Sequence, residues 1–297
     1  MTVMKGIAFY IFFIINYVIT LLPLRVLYLF SDLFFVVLYY FPSYRREVVA
    51  GNLRNAFPEK EEAELKRISR RYYRHLADLF VETLKVTHMS ERQIARRFRM
   101  KDQGLLGRLY DEGRDVVAVC GHYNNWEWLS AMPLHFRYTG MTIYKPLKNK
   151  YFDRLMCQLR SKYGVIPAPM QSILREILKR RKTGELTASA FIADQTPPPD
   201  DHTYWTSFLN QETGFFTGPE KVAVMLDMPV VFLHIKKIRR GFYEAEVSLI
   251  SEDPKSEAPH AITEKHIRKL EEIIRLQPEF WLWSHRRWKH KRVKNND

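Results

Sequence analysis

Apolar positions run almost unbroken through the N-terminal segment and then give way to alternating patterns. No charge occurs from Gly6 to Leu24, and after Arg25 the run resumes from Val26 to Phe41 with only Ser31 and Asp32 interrupting it. Roughly 20 apolar residues span a bilayer core. Aromatic residues all round the run leave no polar face. Residues 1–42 therefore read as a membrane anchor, either a spanning helix or a hairpin embedded in one leaflet. The run is long for a cleaved signal peptide and no small-residue cleavage site follows it. A pair of buried core helices is the competing reading.

Beyond the anchor, helical and strand periods alternate. Leu65, Ile68, Tyr72, Leu76, Leu79 and Phe80 recur at helical spacing and predict an amphipathic helix over Glu59–Lys85. Val116–Cys120, Met141–Tyr144, Leu186–Ala193, Val230–Ile235 and Phe242–Ile250 read as strands. The stretches Trp126–Leu134, Phe152–Tyr163, Ser172–Arg181, Lys221–Leu226 and Ile262–Arg275 read as helices. Strands alternating with helices predict an α/β fold with a central, mainly parallel sheet flanked by helices. With no internal repeat and no Gly/Ser linker, residues 43–297 form one catalytic-sized domain behind the anchor.

Composition adds the partners. The 297 residues carry 47 Lys+Arg against 33 Asp+Glu, a net charge of +14, which predicts attraction to anionic lipid, phosphorylated substrate, nucleic acid or an acidic protein. Arg45, Arg46, Arg54 and the basic Lys66–Arg74 stretch follow the anchor closely and place the body on the cytoplasmic side. Two cysteines, Cys120 and Cys157, exclude a disulfide scaffold and a four-cysteine zinc site.

The candidate chemistry lies in Val116-Val-Ala-Val-Cys-Gly-His-Tyr-Asn-Asn-Trp-Glu127, which reads as strand, glycine turn, His122, and a helix capped by Asn124 or Asn125. On one helix, His122 and Glu127 would stand about 140° apart and could not touch. If His122 precedes the helix, Glu127 can fold back onto its ring and make a general base. The same spacing also suits a purely structural pair. Cys120 could share a face with His122 and act as a nucleophile, but a cysteine ending an apolar strand is more often packed in the core. No nucleophile elbow, P-loop or His-Glu-x-x-His motif competes.

His-x4-Glu at a strand–helix junction behind an apolar N-terminus resembles the late acyltransferases of lipid A biosynthesis and their lysophospholipid acyltransferase-like relatives. Tyr144-Lys-Pro-Leu147, Arg160-Ser-Lys-Tyr-Gly164, Ala193-Asp-Gln195, Phe208-Leu-Asn210, Thr217-Gly-Pro-Glu220 and Trp283-Ser-His-Arg-Arg-Trp-Lys289 fit in order. Ala168-Pro-Met170 departs, where several relatives carry a basic residue. The resemblance implies that His122 is the base and Glu127 its partner. It also implies a fatty acyl thioester donor, on acyl carrier protein or coenzyme A, and no covalent enzyme intermediate. A lipid acceptor, lipid A-like or a lysophospholipid or amino-acid-containing lipid, is implied too, together with an inner-membrane location and neither cofactor nor metal. Arg160 is expected to bind an anionic group of the acceptor through its guanidinium fork. Lys145, Asn125, Asp194, Gln195 and Glu220 are the further substrate-side candidates. Asp194 and Gln195 end a predicted strand, where parallel sheets bind ligands. The aromatic-basic stretch Phe280–Trp288 could stack on nucleic-acid bases, but behind an anchor it reads better as lipid-facing, and no nucleic-acid partner is expected. A non-catalytic anionic-lipid binding protein is the alternative of another class.

Overall fold

The computed structural model describes residues 2–41, 44–197 and 203–292. The boundary expected at 42/43 lies outside the described residues. Two helices open the chain, α1 (Thr2–Ile19) and α2 (Leu24–Tyr40), followed by α3 (Arg46–Ala56), α4 (Glu62–Lys85) and α5 (Glu91–Arg97). Next come β1 (Phe98–Met100), α6 (Gly104–Asp111), β2 (Val116–Cys120), a 3-10 helix at Trp126–Leu134, β3 (Thr139–Tyr144) and α7 (Lys150–Ser161). The order continues through β4 (Ile166–Pro169), α8 (Ile173–Arg181), β5 (Thr187–Ile192), β6 (Thr203–Phe208) and β7 (Gln211–Phe216). It closes with α9 (Gly218–Leu226), β8 (Val230–Arg239), β9 (Phe242–Ser251) and α10 (Ala261–Leu276).

Among the described residues the main sheet runs β1-β9-β8-β2-β5-β3-β4, with β6 and β7 as a separate hairpin. All neighbouring pairs of the main sheet are parallel except β8–β9. The expected α/β architecture with a mostly parallel, helix-flanked sheet is therefore present. β2 is buried from end to end. Its side chains alternate between two layers, Val117 and Val119 in one, Val116, Ala118 and Cys120 in the other. That two-residue period is what a strand covered on both faces demands. Several elements carried no sequence signal: β1 and β4 are very short, and Pro167 and Pro169 break the apolar look of β4, an edge strand that tolerates them. The stretch at Trp126–Leu134 is helical but of the 3-10 type, with Pro133 inside it.

The anchor is corrected in one respect. Among the described residues no helix is long and apolar enough to cross a membrane. The uncharged run is cut by a turn at residues 20–23, so it is divided between α1, of 18 residues, and α2, of 17. At 1.5 Å per residue α1 is about 27 Å long, short of a hydrocarbon core of about 30 Å. α2 also turns one side to the protein. Leu24, Leu27, Ser31 and Phe35 are buried, Ser31 Oγ donates to Asp78 of α4 at 2.7 Å, and Asp32 pairs with Arg240 at 2.8 Å. The outward sides of α1 and α2 stay apolar and exposed, with Ile14, Val18, Leu29 and Leu33 uncovered.

Candidate active site

The carboxyl ends of adjacent strands β2 and β5 meet in register, Cys120 beside Ile192, and the segments that leave them carry His122 and Asp194. The two residues are joined twice. His122 Nδ1 lies 2.6 Å from Asp194 Oδ1, and the His122 backbone N–H donates to Oδ2 at 2.8 Å. Trp281 Nε1 gives Oδ2 a further bond at 2.7 Å. Gly121 is needed for this approach, because a Cβ there would stand 2.6 Å from Leu270 and 3.1 Å from the Asp194 carboxylate. Burial by itself pushes Asp194 up, but the neighbouring His122 charge and the bonds from His122 and Trp281 prevail and hold its pKa at about 2. The carboxylate thus stays ionised and accepts a hydrogen bond from Nδ1–H, leaving Nε2 as the nitrogen with a free lone pair. Gln195 Nε2 sits 3.2 Å from that nitrogen.

Glu127 does not fold back onto His122. Asn124, in the left-handed region at φ 52°, turns the chain after His122 and is pinned by its backbone N–H to Phe280 O at 2.9 Å and by its amide to Ile235 O at 2.8 Å. Asn is one of the few residues that accept that conformation readily. The turn carries Glu127 to α7, where Arg160 donates from Nε at 2.9 Å and from Nη2 at 2.7 Å. The expected Glu127–His122 bond is therefore replaced by two pairs, His122–Asp194 and Glu127–Arg160. Trp126 stands between them, its ring edge-on to the imidazole at 5.1 Å and its Nε1 donating to Glu127 at 3.2 Å. Burial works against the Arg160 charge, but Glu127 outweighs it and holds the guanidinium above its ordinary pKa.

The other candidates fall in different places. Lys145 follows β3 at the same sheet edge and is exposed. Asn125 is the N-cap of the 3-10 helix and is fully buried. Its Oδ1 accepts from Trp128 N at 3.3 Å and its Nδ2 donates to Glu82 at 2.7 Å, so its amide serves the protein rather than a substrate. Glu220 is likewise spent on the fold. It accepts from the His260 and Thr263 backbone N–H groups at 2.7 and 2.9 Å and from the Thr263 hydroxyl, capping α10, where a carboxylate suits the helix dipole. Cys120 faces the core, its Sγ 3.8 Å from Phe191 O, and burial followed by the Asp194 charge pushes its thiol far up. Burial and the carboxylate both work against a nucleophilic thiolate there. Arg154, on the same helix as Arg160, is exposed.

The C-terminal aromatic segment is also corrected. Its tryptophans Trp281 and Trp283 do not lie on the surface: they and Arg287 are buried, while Arg286 is exposed. Arg287 lies over the Phe215 ring at 4.1 Å and donates to Thr213 and Gly214 of β7. Its neighbour His285 accepts from Thr196 N at 3.2 Å, and burial holds that imidazole down at about 4. This segment clamps the loop carrying Asp194 and Gln195. Sequence reasoning missed Trp281 in this role, and it missed Glu82. The fully buried Glu82 accepts from Tyr28 OH at 2.7 Å, Asn125 Nδ2 at 2.7 Å and Tyr243 OH at 2.8 Å. The signal was present in α4, where His75, Asp78, Glu82 and Lys85 recur at helical spacing on the buried side.

Beside the Glu127–Arg160 ion pair lies an apolar pocket. Trp126, Glu127 and Arg160 line it together with side chains of β2, β3, β5 and β8, and it runs under the sheet to Leu106 and Phe136. An imidazole held by a carboxylate at the carboxyl edge of the sheet, with Trp126 between it and an apolar slot, is an arrangement suited to transfer of a hydrocarbon-bearing group.

Comparison with known proteins names the class. The family model for bacterial lipid A biosynthesis acyltransferases matches residues 2–290, so the chain belongs to that family and is an acyltransferase. It is similar to the lipid A biosynthesis lauroyltransferase of Escherichia coli (strain K12), 24% identical over 256 residues that cover 84% of this chain and 80% of the relative.

Proposed function

We propose that this acyltransferase moves a fatty acyl chain from a thioester donor, carried on acyl carrier protein or coenzyme A, to a hydroxyl of a lipid A-type acceptor. The observation that carries the reading is the His122–Asp194 pair beside an apolar slot mouthed by Glu127 and Arg160. His122 Nε2 takes the proton of the acceptor hydroxyl as its oxygen attacks the thioester carbonyl carbon. The C–S bond then breaks, and the departing sulfur takes the proton back from the imidazolium. Asp194 keeps the ring in the tautomer that leaves Nε2 basic, and Gln195 occupies the place beside Nε2 that the hydroxyl must enter. The acyl chain lies in the apolar slot. Two of the five N–H donors of Arg160 hold Glu127, leaving others for an anionic group of the acceptor. Lys145 adds charge on the same edge.

The protein works at a membrane surface, with the uncovered apolar sides of α1 and α2 in one leaflet of the inner membrane and the catalytic body, residues 43–297, on its cytoplasmic face. Exposed Arg67, Arg70, Arg71 and Arg74 of α4, the helix that supports α2, supply cations for anionic headgroups. The test is acyl transfer by the purified full-length protein from an acyl thioester to a lipid A precursor. Wild type transfers, and His122→Ala loses about 10²–10⁴ in rate. Undiminished transfer by a folded His122→Ala protein would remove the general-base reading.

A further inference from the structure

A second apolar recess lies away from the catalytic slot, between α1, α2 and α4. Phe12, Ile15, Asn16, Ile19 and Thr20 of α1 line it with Leu27, Phe30 and Phe34 of α2 and Phe80, Val81 and Leu84 of α4, and its volume is about 190 Å³. An apolar protein cavity of about 150 Å³ takes up benzene, so this space is of hydrocarbon size. One feature distinguishes it from a packing defect. Asn16 is 6% exposed, lines the recess, and its Nδ2 has no hydrogen-bond partner. A buried amide donor left unpaired is costly, by an amount comparable to a lost hydrogen bond. The neighbouring Thr20 Oγ1 is turned elsewhere, bonding Asn16 O at 2.8 Å and His88 Nδ1 at 2.9 Å, and makes no bond to this amide.

The recess is also graded along its length. Asn16 and Thr20 lie toward the turn between α1 and α2, which Lys85 Nζ fastens to α4 through Thr20 O at 2.7 Å and Leu22 O at 2.9 Å. Phe12, Phe30, Phe34 and Phe80 form the part without polar atoms. The rim is apolar as well, since Ile15 and Phe30 are exposed and continue into Ile11, Ile14 and Leu33 on the outer sides of the same helices. Water is a poor occupant for such a space, and a hydrocarbon chain with one hydrogen-bond acceptor near its end is a good one.

We propose that this recess is a lipid-binding site, distinct from the catalytic slot, that takes one acyl chain of an ester- or amide-linked lipid with its carbonyl oxygen accepting from Asn16 Nδ2. The carbonyl satisfies the orphan donor, the first methylenes pass Ile15 and Ile19, and the chain ends among the phenyl rings. The proposal concerns binding alone and does not depend on the transfer chemistry at His122.

The experiment compares two probes on the full-length protein in mixed micelles: a diester phosphatidylethanolamine and its diether analogue, identical but without the carbonyls. Native mass spectrometry counts lipids retained per chain, and circular dichroism verifies the fold of each variant. Wild type is expected to hold one diester lipid and to bind the diether up to about tenfold more weakly, the range of a single neutral hydrogen bond. Asn16→Leu should erase that preference, Asn16→Gln should keep part of it, and Val81→Trp, by filling the recess, should lower both probes. Equal binding of diester and diether by wild type overturns the proposal, and so does a folded Val81→Trp protein that keeps its lipid. It falls equally if Leu29→Asn, on the outer side of α2, strips lipid as fully as Val81→Trp, since the lipid then coats the whole helical surface. A protein that dimerises through α1 and α2 and carries no lipid assigns the recess to a second copy instead. If Val81→Trp does not fold, the diester–diether difference and its loss in Asn16→Leu still decide.

Discussion

Arg160 reaches Glu127 with two nitrogens, Nε at 2.9 Å and Nη2 at 2.7 Å, so the carboxylate that the sequence pairs with His122 is held by a cation from α7. Both side chains are mostly buried at the mouth of the apolar slot. Removing one partner of such a pair leaves the other charge uncompensated, at a cost of about 3–5 kcal/mol for full burial and less here. Arg160→Lys keeps the charge and loses the fork. The expected outcome is an acceptor KM raised several-fold, with thioester hydrolysis in the absence of acceptor changed much less. Separate donor and acceptor titrations check it. An equal fall in both activities would mean that the pair only shapes the slot.

Asp194 carries the opposite expectation. Asp194→Asn preserves size but no longer fixes the Nδ1–H tautomer of His122. The rate constant should fall by about 10²–10⁴ with little change in either KM, a loss on the scale of general-base catalysis. Glu127→Gln, by contrast, should act mainly through Arg160, on the acceptor KM. If Glu127→Gln lowers kcat as severely as Asp194→Asn and leaves the acceptor KM alone, the roles of the two carboxylates are exchanged.

Glu82 supports the turn between His122 and Glu127 from below, because it holds Asn125, and Asn125 caps the 3-10 helix. Glu82→Ala leaves Tyr28, Tyr243 and Asn125 without an acceptor, and each unsatisfied buried group costs about 1–3 kcal/mol. Chemical denaturation should show a loss of several kcal/mol. Glu82→Gln, which retains an acceptor oxygen, should recover a large part of it. Equal stability of the two variants would show that the carboxylate shape is not what the network uses.

Cys120→Ala should remain active, and iodoacetamide should leave Cys120 unlabelled in the folded protein, because its thiol is buried with its ionisation pushed far up. Acyl label trapped on Cys120 during turnover would contradict this.

Acid should unfold the protein before its carboxylates are neutralised. Burial lowers His234, His266 and His285 to about 4 each. An unfolded histidine titrates near 6.5, so their stabilising contribution is complete above that pH and is lost as the pH falls from there to about 4. For the fully buried His266 the loss is on the order of 3 kcal/mol. Asp194, held at about 2, acts in the same direction but only below the ordinary carboxylate range. Thermal unfolding between pH 7 and 4 should show a steep fall in Tm that His266→Phe flattens. A flat wild-type profile above pH 5 would contradict the burial of these rings.

The sequence by itself determined most of the elements of the sheet and its covering helices, and the strand–turn that carries His122. Two-residue alternation in Val116–Cys120 and helical spacing in Glu62–Lys85 are local consequences of backbone geometry, so both were legible, as was the glycine turn that lifts His122 off its strand. That α2 turns one side to the protein was not, because it depends on where Ser31 and Asp32 find partners on α4 and on the turn after β8. The tertiary structure alone decided which carboxylate serves His122. Glu127 is near in sequence, but the pinned turn at Asn124 and the pull of Arg160 carry it away, whereas Asp194 is distant in sequence and adjacent in space because β5 pairs with β2 in register. For the same reason the tryptophans of the C-terminal segment, alike in composition to an interfacial belt, lie inside: Trp281 Nε1 has a buried carboxylate to bond, and only the assembled sheet puts one there.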